Sequence, residues 1–357
     1  MFIGIVPDFP AVQMMQESVP LIFHEDYLRL TQTPGHPESP ERVSAIMERL
    51  KELSIPLDIR TAPLLDEKDL LRVHSDAHVA RVRDFGTGYM DPDTYHHDHT
   101  FETSLRAAGG VVRAAEDAVR ERRAVFVVPR PPGHHSGRDY NMGFCYFNNV
   151  AIAARKLLDE KEDISRVAIV DVDAHHGNGT CDLFHQDRDV LYISTHQWGI
   201  FPGTGNHTDV GSGPGEGYTV NLPLMGGAGD PTFSCAASDL VVPILQQYSP
   251  DVMFVSLGVD AHLMDPLTSL SLSSPGYISL LSSLADAADT ICSGRIIYEL
   301  EGGYHPRALA EVFSAAVARY AGMGGEVPLR YTDTREASKD SVRLRQFRDV
   351  QASYWKV

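Results

Sequence analysis

Residues 166–179 read RVAIVDVDAHHGNG. The first half is a short β-branched run without polar alternation, the pattern of a strand covered on both faces. The second half changes abruptly to Asp171, Asp173, His175, His176 and Asn178. In open parallel α/β sheets ligands bind beyond the carboxyl ends of the strands, so this junction reads as a strand delivering polar groups to a site. While the chain stays extended, side chains two apart face one way, which puts Asp171, Asp173 and His175 on one side.

The pattern recurs along the chain. PLIFH (20–24), AVFVV (124–128), VLYIS (190–194), VMFVSL (252–257) and RIIYEL (295–300) are the other expected strands. Between them lie helical periodicities at 42–53, 103–121, 148–160, 231–247, 275–292 and 306–320, the first announced by Ser39 and Pro40. This alternation predicts an α/β fold, a single domain with an open, mostly parallel β-sheet flanked by helices on both faces. After AVFVV comes PRPPGHHSG, with His134 and His135; after VMFVSL comes GVDAHLMDPL, with Asp260; after RIIYEL comes EGGYH, with Tyr304. One such strand end has a bland explanation in helix caps and polar core histidines. Four converging on one rim point to a site.

Asp173, His175 and the distant Asp260 make a carboxylate, imidazole and carboxylate set with room for water and substrate, the open coordination of a catalytic divalent metal. Two carboxylates and one imidazole are also hard enough for Fe(II) or Co(II). The tandem His134 and His135 offer a general base beside that metal, and an imidazole in this role needs an acceptor on its other nitrogen, for which Asp171 and Asn178 are the candidates. Gly133, Gly302 and Gly303 allow close backbone approach.

Of the 357 residues 43% are apolar and 22% charged, an ordinary globular composition. Lys and Arg number 31 against 48 Asp and Glu, a net charge of −17 that argues against nucleic-acid binding but suits Lys-rich or amine substrates. The four cysteines are scattered with no C-x-x-C pair, which fits a reducing interior. The apolar start MFIGIVPDFPAVQMM has no Lys or Arg before Arg29 and is broken by Pro7 and Pro10, so neither a signal peptide nor a membrane span is expected, and a cytoplasmic location is. Residues 1–19 read as an N-terminal extension, 20–325 as the catalytic domain and 326–357 as a charged C-terminal segment, a surface helix or strap with seven basic and four acidic residues from Arg330 onward. YHHDHT (95–100) reads as a polar surface loop.

RPPGHHSG, GFCYFNNVAIAAR, DVDAHHGNGT, FPGTG, GVDAHLMDPL and EGGY, with HPESPERV at 36–43, occur in the order and spacing of the zinc-dependent histone deacetylase family, which the chain resembles over roughly residues 20–320. Asn178 and DPDTY (91–95) resemble its class II and prokaryotic branch. The resemblance implies the arginase/deacetylase fold and one zinc ion on Asp173, His175 and Asp260. It implies catalytic His134 and His135 partnered by Asp171 and Asn178, and Tyr304 hydrogen-bonded to the substrate carbonyl. Phe144 and Phe201 would flank an apolar channel closed below by Gly143. Potassium or sodium would sit on Asp171, Ser194 and the main chain of Asp173, His175 and Thr195, with a second monovalent site near Phe184, Asp187 and Val190. The implied reaction releases acetate and a free amine from an acetylated lysine peptide or protein or a small acetylated amine. His135 would take the proton of the attacking water, and a protonated histidine would return one to the leaving amine.

Three rivals remain on the residues. A binuclear ureohydrolase needs further carboxylates where this chain has Gly177 and His262. An acetylpolyamine deacetylase needs an anion at the channel mouth, where Leu267 is apolar, although Asp91, Asp93 or Asp98 lie in reach of the rim. An inactive acyl-lysine binding protein would not need every catalytic residue. The chain is also compatible with a homo-oligomer, and its sequence names no one substrate.

Overall fold

The computed structural model describes residues 18–30, 32–332 and 340–357, so most of the expected N-terminal extension lies outside the described residues. The strands are β1 (Val19–Phe23), β2 (Leu57–Thr61), β3 (Gly88–Tyr89), β4 (Tyr95–His96), β5 (Val125–Val127), β6 (Val167–Asp171), β7 (Val190–Gln197), β8 (Thr219–Leu224), β9 (Val252–Leu257) and β10 (Ile296–Leu300). Eight of them form one parallel sheet in the order β2-β1-β5-β10-β9-β6-β7-β8, and β3 and β4 pair as a separate antiparallel ribbon.

Successive residues of each central strand feed opposite cores, as the period of two demands. Leu21, Phe126, Ala168 and Val170 enter one cluster with the helices Glu41–Glu52, Ser274–Cys292 and Pro306–Tyr320. Ile22, Val125, Val127, Val167 and Ile169 enter the other, with Thr100–Glu121 and Asn149–Glu160. Both faces are therefore covered, and the site is left to the carboxyl end of the sheet. There the register sets Asp171 beside Ser194 on one side and Ser256 on the other.

All six expected strands are present, but β2 and β8 were not foreseen, because edge strands escape the rule that reads buried runs. In β2, LDIRT is half polar, and Ile59 is 55% exposed. In β8, TVNLPL carries Pro223, which a central strand excludes and an edge strand accepts. The C-terminal segment covers that edge: Asp340 accepts from the Met225 amide at 3.1 Å, and Arg343 in the helix Ser341–Gln351 donates to the Pro223 carbonyl at 2.8 Å. Covering an edge removes a template for unwanted pairing. The expected helix at 231–247 is two helices, Asp230–Ala236 and Val242–Tyr248, joined by a π turn over 237–241. Pro243 has no N–H for the residue 239 carbonyl, and a wider turn relieves that clash. Among the described residues no helix is long and apolar enough to cross a membrane.

A buried ion cluster braces the sheet end beneath the site. The Glu38 carboxylate takes Arg130 Nε at 2.5 Å and Nη2 at 2.9 Å, and Arg42 Nη1 at 3.2 Å, with all three side chains inaccessible. Burial alone would raise the Glu38 pKa, but Arg130 and then Arg42 hold it below its ordinary 4.5. A depressed carboxylate pKa stabilises the fold above the unfolded value, and that contribution is lost as pH falls through the folded one. Glu38→Ala leaves two buried guanidinium groups uncompensated, so unfolding in urea is expected to lose about 3–5 kcal/mol. A loss near the about 1 kcal/mol of an exposed pair would show that the surrounding carbonyls suffice.

Candidate active site

Two strand ends bring Asp173, His175 and Asp260 together, with one donor atom from each lying within 4.8 Å of the others, all buried. The loop after β6 carries the first two. Asp260 follows β9 and is locked by the Ala174 amide, which donates to its Oδ1 at 2.7 Å. Asp173 Oδ2 accepts from the Gly302 amide at 2.7 Å, and a Cβ on Gly302 would lie 2.3 Å from Asp260 Oδ2 and 2.4 Å from Asp173 Oδ2. Gly302 thus supplies the close approach expected of it, made here to the two carboxylates. His175 Nδ1 sits 2.9 Å from Asp260 Oδ2 and 3.2 Å from Asp173 Oδ1.

This donor set fits a divalent cation on its charges. Burial, then the neighbouring Asp173, pushes Asp260 up to about 8. Burial opposes charge on His175, yet the two carboxylates raise it to about 10. Two carboxylates crowded out of water want a cation between them, and a three-ligand set leaves positions for water and substrate. At the ureohydrolase positions, His262 is occupied elsewhere: Nε2 meets Ser274 Oγ at 3.2 Å, and Nδ1 accepts from the Met264 amide at 3.1 Å. A Cβ on Gly177 would lie 2.2 Å from Asp171 Oδ2. No second group of metal donors occurs among the described residues.

The tandem histidines after β5 lie beside this triad, their ring centroids 4.0 Å apart. His134 Nδ1 meets Asp171 Oδ2 at 3.0 Å, and His135 Nδ1 meets Asn178 Oδ1 at 2.8 Å. Each thus has its own acceptor. The environments drive the two rings apart in pKa. Burial disfavours charge on both, but Asp171 and Asp173 hold His134 well above its ordinary value. His135 is pushed well below by burial and by His134 and His175. Behind them, Tyr192 donates to Asp171 Oδ2 at 3.0 Å, Ser194 Oγ meets His196 Nδ1 at 2.9 Å, and the Thr195 hydroxyl is buried without a partner.

Aromatic rings frame the opening. Phe201, 39% exposed, lies 5.1 Å from the His135 ring, and Phe144 lies 5.9 Å from Tyr304. Tyr304 is in turn 6.4 Å from His175, and the Arg42 guanidinium stands over its ring at 5.1 Å. Gly143 adopts φ +57°, and a Cβ there would lie 2.4 Å from the His135 ring. Leu267 is 42% exposed at the rim, its amide bound to Asp265 Oδ1 at 2.9 Å.

Several residues of this site were not legible beforehand. Asp265 also accepts from the Tyr304 amide at 2.7 Å and so ties the Tyr304 loop to the Leu267 loop. Asp93 accepts from the Gly143 amide at 3.2 Å, and Thr94 Oγ1 from the Phe144 amide at 3.1 Å, so DPDTY buttresses the channel wall. Arg42, from HPESPERV, donates Nε to the Gly303 carbonyl at 2.7 Å. YHHDHT is not simply a surface loop: His96 is buried in β4, with Nδ1 on the Gly86 carbonyl at 2.5 Å. For Asp265, Asp93, Thr94 and Arg42 the signal was a polar residue in a motif whose partner lies far along the chain.

Comparison with known proteins agrees with this fold. Residues 36–320 match the Histone deacetylase domain family. The chain is 40% identical over 291 residues to a protein named Probable deacetylase from Archaeoglobus fulgidus, with 80% of each chain covered. It is 34% identical over 330 residues to the Histone deacetylase-like amidohydrolase of Pseudomonas aeruginosa, covering 89% of this chain and 84% of that one. A solved structure described as the HDA15 HD domain superposes with TM-score 0.86 at 32% identity, covering 95% of this chain and 96% of the other.

Proposed function

The chain belongs to the histone deacetylase family, and from that premise we propose that it is a zinc-dependent hydrolase that removes acetyl groups from the ε-amine of lysine or a related amine. The observation that carries this reading is the meeting of two separately oriented imidazoles, His134 on Asp171 and His135 on Asn178, with the Asp173, His175 and Asp260 triad under a ring of Phe144, Phe201 and Tyr304. Zinc held by the triad would polarise the amide carbonyl and supply an activated water at neutral pH.

The chain's own groups then divide the work. An amide carbonyl entering between Phe144 and Phe201 has its water excluded by the two rings, and a straight alkyl chain fits such a slot. His135, neutral with Nε2 free, accepts the proton of the attacking water. His134, held protonated by Asp171, supplies positive charge beside the tetrahedral centre, and a protonated imidazole returns a proton to the departing amine, so that acetate and a free amine result. Tyr304, which burial and then Asp173 keep protonated, has an O–H to donate to the developing oxyanion. Asp171, Ser194, Thr195 and the adjoining main chain would hold a potassium or sodium ion behind the triad. Four free cysteines suit a cytoplasmic setting.

Tyr304→Phe is expected to lower kcat about 10²- to 10³-fold with metal content unchanged, the usual worth of one oxyanion donor. An unaltered kcat would remove that role. The substrate class is tested by assaying the zinc-loaded protein on acetyl-lysine peptides, acetylpolyamines and longer acyl-lysines. Preference for acetyl-lysine peptides supports the reading, which the apolar Leu267 at the rim favours. Preference for acetylpolyamines would shift the substrate to a diffusible amine, with the acidic groups around Asp91 as the place to look for its distal ammonium. No turnover of any of them would overturn it.

A further inference from the structure

We infer that Tyr140 and Asp182, which lie outside the metal triad, are positioning residues that fix which nitrogen of His135 carries its proton. The inference rests on the reading of His135 as the general base.

His135 differs from its neighbour in what orients it. His134 faces a carboxylate, whose oxygens both only accept, so its Nδ1 must carry the hydrogen. His135 faces the Asn178 amide, which is reversible: turned by 180° it would present an N–H donor, and His135 would then carry its proton on Nε2 and have no lone pair for the water. Something must set the polarity of that amide.

The hydrogen bonds around it do so, link by link. Asp182 lies on the exposed side of the helix Asn178–Phe184, and its carboxylate accepts the Tyr140 hydroxyl hydrogen. Burial, and then Asp182, hold the Tyr140 pKa above its ordinary value, so the phenol keeps its one hydrogen. With that hydrogen committed to Asp182, the phenol oxygen can only accept from Asn178, whose Nδ2 donates to it at 3.0 Å and to Met142 Sδ at 3.3 Å. Oδ1 is thereby left facing His135 Nδ1 at 2.8 Å. Oδ1 accepts, so Nδ1–H donates and Nε2 keeps its lone pair. The chain starts at a carboxylate, a group with no donor form when ionised, and ends at the tautomer of the base.

Tyr140 is seated for this contact. Its ring packs against Gly137, where a Cβ would come within 2.4 Å of Cε1 and Cζ. The loop is pinned by the Gly137 N–H, which donates to the Tyr140 carbonyl at 3.0 Å. The SGRDY stretch after the tandem histidines thus folds back to hold one hydroxyl against Asn178.

The test is a cycle on the zinc-loaded full chain. Tyr140→Phe and, separately, Asp182→Ala free the amide to turn, and kcat is expected to fall about 5- to 30-fold, the worth of one bond to a buried polar group, with KM and metal content little changed. In an Asn178→Asp background a carboxylate replaces the reversible amide, so the same Tyr140→Phe change is expected to cost less than about 2-fold, a coupling that lost packing would not produce. Imidazole ¹⁵N shifts of His135, assigned by its loss in His135→Ala, read the tautomer without turnover: Nδ1–H in the parent and a mixture in Tyr140→Phe. Equal losses in both backgrounds, or an unchanged tautomer in Tyr140→Phe, would overturn the inference. Should the parent turn over no acetylated amine, it is the deacetylase reading that fails, and the ¹⁵N shifts still decide this one.

Discussion

His135→Ala is expected to lower kcat about 10²- to 10⁴-fold, the range of a lost general base. KM and metal content should hardly change, because His135 is no member of the triad: its ring centroid lies 6.2 Å from that of His175, and its Nδ1 is bonded to Asn178. Two things favour His135 over His134 as the proposed base. Burial together with His134 and His175 keeps it neutral, whereas Asp171 keeps His134 protonated. Environments that push two neighbouring titratable groups apart assign the acid and base roles. His135 is also the ring beside the partly exposed Phe201, 5.1 Å between centroids, on the side proposed for substrate entry. Single-turnover assays with metal analysis separate the outcomes. Full activity in His135→Ala would remove the general-base assignment, and a matched loss of metal would show that the ring acts structurally.

The parts of this site that could be read in advance are those carried by short contiguous motifs. DVDAHHGN runs from the last residue of β6 through a six-residue loop to the first residue of the helix Asn178–Phe184, so the placement of Asp171, Asp173, His175 and Asn178 is a consequence of local geometry. Asp260 joined them because it too follows a buried apolar strand, and the parallel register does the rest. What could not be read is what depends on contacts between distant segments. Arg42 reaches Gly303 across 261 residues, Asp93 reaches Gly143 across 50, and Tyr140 reaches Asn178 across 38. No periodicity announces such pairs, since each partner alone is an ordinary polar loop or helix residue. The same holds for β2 and β8, whose exposure or proline hides them from a rule built on double burial, and for His96, whose burial comes from the ribbon and not from its own neighbours.

Asp260→Asn is expected to act in opposite directions on metal binding and on the metal-free fold. It removes one of the three proposed ligands, so divalent-ion affinity should fall by more than the about 10- to 100-fold typical of losing an outer-shell partner, and turnover should vanish with it. In the metal-free parent, however, burial and Asp173 push Asp260 up to about 8, far above its ordinary 3.8. The folded state then binds a proton that the unfolded state has released, and stability falls as pH rises between those values. His175, raised to about 10 by the same carboxylates, has its charged-form stabilisation in full below 6.5 and loses it as pH rises toward 10, which is the same direction. Denaturation of the chelated parent should therefore show stability declining from pH 5 to pH 8, and chelated Asp260→Asn should show a shallower decline and greater stability at pH 8. Metal reverses the order, because it binds the folded state and the carboxylate ligand raises its affinity. If the chelated variant proved less stable than the chelated parent at pH 8, the crowded carboxylates would not be the strained, cation-seeking pair described here. Asp260 would then owe its place to the Ala174 amide and not to a metal.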